Sequence, residues 1–182
     1  RRQRQMCIRD RILRFLANGI KVKAFDKNSQ QLNFLKDEIT RTNLIIKKLY
    51  NTKINFKNLE IVDNIEEAVK NADLIQENVP ERLTLKKDVI KNISKYSPSN
   101  SIIASSSSGL LPSDLQSKCI NPKRLIIAHP FNPVYILPLV EIVKGKKTTN
   151  LYLNKAKKFY QKIKMKTLSV SYTHLTLPTS ND

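Results

Sequence analysis

The chain has 182 residues, a length suited to one domain, and 40% of them are hydrophobic, enough to fill a core and to exclude global disorder. It has no apolar run of about eighteen residues, which excludes a long membrane-spanning helix read from hydropathy. The formal charge is +18, but the lysines are spread along the chain among Asn and Ile, all read from AT-rich codons, and the one dense basic block is at the very start.

That start, RRQRQMCIRD, carries four arginines, whereas VSYTHLTLPT near the other end carries no lysine or arginine. A DNA segment that encodes the first has a reverse complement that encodes the second. The segment resembles a transposase-type adapter used in sequencing libraries. On this reading residues 1–11 and 169–182 are adapter-like and residues 12–168 carry the domain, as tags and scars are set aside before a fold is read. Cys7 and His174 then leave the functional inventory, and Cys119 and His129 remain. The two cysteines, far apart, suggest neither a metal site nor a disulfide framework.

The elements alternate along the chain. ILRFLANG reads as the end of a helix stopped by Gly19, and IKVKAFD as a strand ending on Asp26. NSQQLNFLKDEITRTNLIIKKLY is helix-periodic, through Leu32, Leu35 and Ile39. LEIVD is a short strand and NIEEAVKNA a short helix opened by Asn64. ADLIQENV is a strand, followed by a helix begun by Pro80 over PERLTLKKDVIKNISKY. SIIASSS is a strand, LPSDLQSK a short helix, RLIIAH and LVEIVKG strands, NLYLNKAKKFYQKIK an amphipathic helix, and KTL the start of a last strand. Such alternation implies an α/β, mainly parallel, doubly wound sheet with helices on both faces.

In sheets of this kind ligands sit beyond the carboxyl ends of the strands. The polar residues there are Asp26, Glu77 to Glu81, Ser105 to Ser108, and His129 to Asn132. An acid ending a strand after a helix suits the hydroxyls of a dinucleotide ribose and favours NAD over NADP; a surface acid at a strand end is the equal alternative. The serine run could bind a cofactor or substrate oxygen, although on local grounds a turn with helix capping is the favoured reading. His129 follows an apolar run at a strand end, where a ligand would sit, and is held extended by Pro130; a structural histidine is the alternative. Glu141 interrupts the apolar strand LVEIV, and a carboxylate there needs a partner, for which an imidazole is suitable.

DLIQENVPERLTLKKDV, IIASSSSGLLPSDL and HPFNPVYILPLVEIV together resemble the 3-hydroxyacyl-CoA dehydrogenase superfamily, over essentially all of residues 12–168. The Ser-Ser-Ser-Ser-Gly turn, Pro130 after the histidine, Tyr135 and ILPLVE are similar to its carnitine branch. The resemblance implies a Rossmann-like fold here lacking its first strand and glycine-rich turn, with the helical C-terminal domain also absent. It implies His129 as catalytic base, Glu141 as its carboxylate partner and Ser108 as the serine that bonds the reacting oxygen. Asp26, Glu81, Lys86, Ser108 and Asn132 match positions lining the NAD site. The implied activity is NAD-dependent oxidation of a 3-hydroxy group, with L-carnitine as substrate; 3-hydroxyacyl-CoA oxidation in fatty-acid breakdown is the alternative. A parent homodimer in the cytoplasm follows from the same resemblance, with no metal, membrane or nucleic-acid partner. A non-catalytic crystallin-like role and a basic nucleic-acid-binding module are the readings from other classes.

Overall fold

The computed structural model describes residues 2–50, 54–134 and 136–170. The elements in chain order are α1 (Arg2–Ala17), β1 (Val22–Ala24), α2 (Ser29–Tyr50), β2 (Leu59–Ile61), α3 (Ile65–Val69), β3 (Leu74–Glu77) and α4 (Leu83–Tyr96). They continue as β4 (Ile102–Ser105), α5 (Pro112–Leu115), β5 (Leu125–Pro130), β6 (Leu139–Lys144), α6 (Asn150–Lys162) and β7 (Lys166–Val170).

The local signals act as their chemistry dictates. Gly19 takes φ +74° after α1, and its N–H donates to Leu16 O while that of Ile20 donates to Phe15 O, the left-handed stop that glycine permits. The Asn64 side chain accepts the Glu67 N–H and caps α3. One boundary differs from expectation: α4 begins at Leu83, not at Pro80, because Pro80 and Arg82 form a tight turn in which the Arg82 N–H donates to Pro80 O at 2.7 Å. At the other end of α4 the fully buried Arg124 donates to Ser94 O at 3.0 Å and Ser101 Oγ at 2.7 Å, placing a cation where the helix carbonyls are unpaired.

Five strands form one sheet in the order β3-β4-β5-β6-β7, parallel except where β6 runs against β5. β1 and β2 form a separate parallel pair, with Lys23 and Glu60 opposite each other in register and ion-paired at 3.2 Å. Among the described residues no strand joins β1 to β3, which is the place the doubly wound order reserves for a first strand.

Strand alternation sorts the side chains onto two faces. Ile102, Ala104, Ile126, Ala128, Val140 and Ile142 point to the layer of α6, against Ala156 and Tyr160. Ile103, Leu125, Ile127 and Val143 point to the layer of α3, α4 and α5, against Val69, Ile90, Ile93 and Leu115. A third core, of Ile12, Leu13, Leu16, Ala24, Leu35, Ile39 and Ile54, lies between α1, α2 and the β1–β2 pair. Each fully buried Ile or Leu contributes roughly 1.5–3 kcal/mol.

The expected boundaries at residues 11 and 168 coincide with no break in the fold: α1 runs continuously through Arg11, and β7 runs through Leu168 to Val170. The remainder of the expected C-terminal segment, residues 171–182, lies outside the described residues, as does Tyr135.

One tight contact yields a stability prediction. A Cβ at Gly145 would meet the Gln116 amide at 2.5 Å, and that amide is fixed by Pro122 O, Thr148 Oγ1 and the Lys147 N–H. Gly145→Ala should destabilise the chain by about 1–3 kcal/mol, the scale of overpacking, read as a fall in the urea midpoint at constant m.

Candidate active site

The parallel register of β3, β4 and β5 brings three strand ends together. Glu77 pairs with Ser105, and Ser105 with Ile127, so His129 stands two residues farther along the same edge. Glu77, Ser105, Ile127 and His129 alternate onto the face covered by α3, α4 and α5. The reversal at β6 then sets Glu141 directly opposite His129. Directly opposed residues of an antiparallel pair hold their Cβ atoms roughly 4.5–5.5 Å apart, so the carboxylate and the imidazole are neighbours by construction.

His129 is half-buried. Burial, and secondarily the positive charge of Arg11, hold its imidazole below the ordinary value, while Glu141 and Glu81 oppose them. Its imidazole is therefore neutral near pH 7, with two carboxylates disposed to stabilise it once protonated. The Phe131 ring lies edge-on, 6.3 Å from the imidazole between centroids.

The serine turn after β4 is held by carboxylates at the end of β3. Glu81 Oε1 accepts the Ser108 and Gly109 N–H groups, each at 3.1 Å, and the Ser107 hydroxyl. The Ser107 oxygen in turn accepts the Leu110 N–H at 3.0 Å. Burial alone would raise the Glu81 carboxyl, but Ser107, Gly109, Lys86 and Ser108 together hold it below the usual carboxylate range. Behind it Lys86 is 1% exposed and Glu77 3%. The Lys86 ammonium donates to both Glu77 oxygens at 3.0 and 3.1 Å and to Val79 O at 3.0 Å, and pairs with Glu81 at 3.4 Å. Glu77 also accepts the Ser105 hydroxyl and the Val79 N–H, both at 2.5 Å.

Each expected site residue has a definite place. His129 and Glu141 are brought together. Ser108 is exposed, and its hydroxyl makes no hydrogen bond among the described residues. Glu81 and Lys86 are joined to each other and to the serine turn. Asn132 is exposed in the loop after β5, before a cis bond to Pro133. Asp26 follows β1, in the sheet pair separate from His129, and its Oδ1 accepts the Asn28 N–H at 2.9 Å.

The serine run does not by itself show that Ser105 and Ser107 bond the carboxylates; the Arg11 side chain reaches Asn78 beyond β3. The Glu77–Lys86 pair did leave a signal. Lys86 shares the apolar stripe of α4 with Ile90 and Ile93, at helical spacing, and a lysine on a buried stripe requires an acid.

Residues 11–173 match the family described as 3-hydroxyacyl-CoA dehydrogenase, NAD binding domain. The L-carnitine dehydrogenase of Oceanobacillus iheyensis is 46% identical over 166 residues, covering 87% of this chain and 52% of that protein. The chain thus spans about half the length of this relative. Among solved structures, a diketoreductase that acts on dicarbonyl compounds superposes with a TM-score of 0.83 at 26% identity, over 90% of this chain and 60% of that one. The 3-hydroxybutyryl-CoA dehydrogenase of Escherichia coli K12 superposes at 0.81 with 21% identity, over 90% of this chain and 35% of that one, a likeness of fold. No described helix is long and apolar enough to cross a membrane.

An NAD molecule requires an acceptor for the adenosine ribose and a cradle for the pyrophosphate. Asp26, half-buried at the carboxyl end of β1, fits the first requirement. The second has no glycine-rich counterpart in these 182 residues, whose glycines are Gly19, Gly109 and Gly145.

The opposition of His129 and Glu141 predicts a titration result. Glu141→Gln removes a charge that favours the imidazolium, so the His129 C2-proton resonance should titrate at lower pH than in the parent chain. An unchanged midpoint would place Glu141 out of electrostatic reach.

Proposed function

Because the chain belongs to the family of 3-hydroxyacyl-CoA dehydrogenase NAD-binding domains, we propose that it supplies the cofactor and proton-transfer half of an enzyme oxidising the 3-hydroxy group of L-carnitine. The observation that carries this reading is the His129–Glu141 pair, set opposite one another across β5 and β6.

Oxidising a secondary alcohol needs a base for the hydroxyl proton and an acceptor for the hydride. NAD, with its ribose on Asp26, supplies the acceptor when bound. His129 takes the hydroxyl proton, and its lowered affinity for protons keeps it in the accepting form near neutrality. Glu141 stabilises the resulting imidazolium and fixes the ring's orientation. The exposed Ser108 hydroxyl donates to the reacting oxygen and holds the alcohol carbon beside the base. In the reverse direction His129 returns the proton to the carbonyl oxygen.

The substrate follows from the relatives and from the neighbourhood of the base. Several relatives are L-carnitine dehydrogenases, from Oceanobacillus iheyensis, Bacillus cereus and Staphylococcus epidermidis among others. In carnitine a single methylene separates the carbinol carbon from the quaternary ammonium. A hydroxyl on His129 therefore keeps the cation close to the Phe131 ring, which is 40% exposed. Such a cation is attracted to an aromatic face within about 6 Å, and an ammonium without N–H groups makes no competing hydrogen bonds. A homodimer and a cytoplasmic setting belong to the same reading.

The test is a chimera in which residues 12–168 replace the matching part of the Oceanobacillus iheyensis enzyme. It should reduce NAD with L-carnitine and not with 3-hydroxybutyryl-CoA; the opposite preference would transfer the site to acyl-CoA substrates. In the chimera, His129→Ala should lower kcat at least ~100-fold, the scale of general-base loss, and near-normal turnover would refute the assignment. Phe131→Ala should raise KM for L-carnitine about 2- to 30-fold with kcat little changed, as expected for a lost cation–π contact of about 0.5–2 kcal/mol.

A further inference from the structure

We propose that Lys86 is a positioning residue that acts through Glu81 on the serine turn, and that the buried Glu77 carboxylate sets it in place. The inference rests on the reading of Ser108 as the hydroxyl that meets the reacting oxygen, and adds to it the device that fixes where that hydroxyl stands.

Three observations support it. First, Lys86 is 1% exposed, and its ammonium is enclosed by Glu77 Oε1 at 3.0 Å, Glu77 Oε2 at 3.1 Å and Val79 O at 3.0 Å. An ammonium has three protons to donate, and three oxygens of β3 and its turn take them. Second, the same ammonium lies 3.4 Å from Glu81 Oε2. This leaves Oε1 of the same carboxylate turned to the Ser107 hydroxyl and to the Ser108 and Gly109 N–H groups, the latter two at 3.1 Å. Third, Glu77 is anchored independently of Lys86, by the Ser105 hydroxyl and the Val79 N–H at 2.5 Å. The chain of contact thus runs from the end of β3, through the first turn of α4, to the N–H groups that shape the serine turn.

The arrangement also explains why one carboxylate could not serve alone. The side chain of Glu81 is 39% exposed, and a surface carboxylate accepting bonds from a short loop has alternative rotamers and water as competitors. A fixed cation on its other oxygen removes that freedom. Buried ion pairs commonly add little net stability, and specifying one geometry is the use that fits this one.

The charged groups facing Glu81 are Lys86 from α4 and, across the site, His129 from β5. The experiment uses the full chain and reads the Ser108 and Gly109 amide resonances from about pH 3 to 7, which spans the ordinary Glu value of ~4.3. In the parent both amides should follow one ionisation, that of Glu81, with a midpoint below that value. Glu77→Gln leaves Glu81 as the one carboxylate partner of Lys86 and should move the midpoint down. Glu77→Gln combined with Lys86→Met removes the cation as well. It should move the midpoint above the parent's and quicken hydrogen exchange at Ser108 and Gly109 at least ~5-fold, with the Ile90 and Ile93 amides of α4 unchanged. A purely structural ion pair still moves the midpoints through its charges but leaves exchange at Ser108 and Gly109 in the double variant as in the parent, and that result overturns the proposal. Should the single variant fail to fold, the double variant decides alone, since it leaves no buried charge unpaired. No turnover is measured, so an inactive chimera beside these shifts would count against the proposed reaction and not against this relay.

Discussion

The interaction on which the site depends is the buried contact between the Lys86 ammonium and the Glu77 carboxylate. Both are at most 3% exposed, yet each is fully supplied with partners. Removing one partner of such a pair leaves an unpaired charge in the interior and costs about 3–5 kcal/mol. The pair ties the end of β3 to α4, the Ser105 hydroxyl joins β4 to it, and the serine turn follows from there. What looks like a polar flaw in the core facing α4 is the point from which the candidate site is built.

A second constraint comes from the direction of one strand. A parallel β6 would begin at the far end of the sheet and present a different residue beside His129. Because β6 reverses, Glu141 meets His129 in register, with Val140 and Ile142 on either side filling the core toward α6. The acid is thus placed by backbone pairing, and its position does not depend on a flexible loop. A one-residue slip would turn Glu141 into that core, so burial of its neighbours enforces its place opposite His129.

Much of this was legible in the residues. Alternating apolar runs and helix-periodic stretches gave the layers, and Gly19 and Asn64 marked ends that the structure keeps. His129 and Glu141 stood out as polar residues in apolar strands, which is what strand-end chemistry requires. Less visible was the division of labour among four consecutive serines: one-letter identity cannot show that Ser105 and Ser107 bond carboxylates while Ser108 faces outward. Pro80 suits a first helical turn by its φ, yet α4 starts only at Leu83, because a turn from Pro80 to Arg82 precedes it. Neither a reversed strand nor the split between two sheets is written in local periodicity, since both are settled by pairing between distant segments.

The division of the sheet has a mechanical consequence. The β1–β2 pair has its own core with α1 and α2, whereas the five-stranded sheet has two others. A two-stranded sheet is at best marginal by itself, so this half borrows its order from its helices. α1 belongs to both parts: Leu13 and Leu16 enter the small core, while Phe15 packs edge-on against Phe159 and Arg14 donates to Ile163 O at 3.0 Å. Among the described residues no ladder of hydrogen bonds joins β1 to β3, and α1 packs the half that carries Asp26 against the end of α6. One helix thus spans both the part that holds the opposed His129 and Glu141 and the part that holds Asp26.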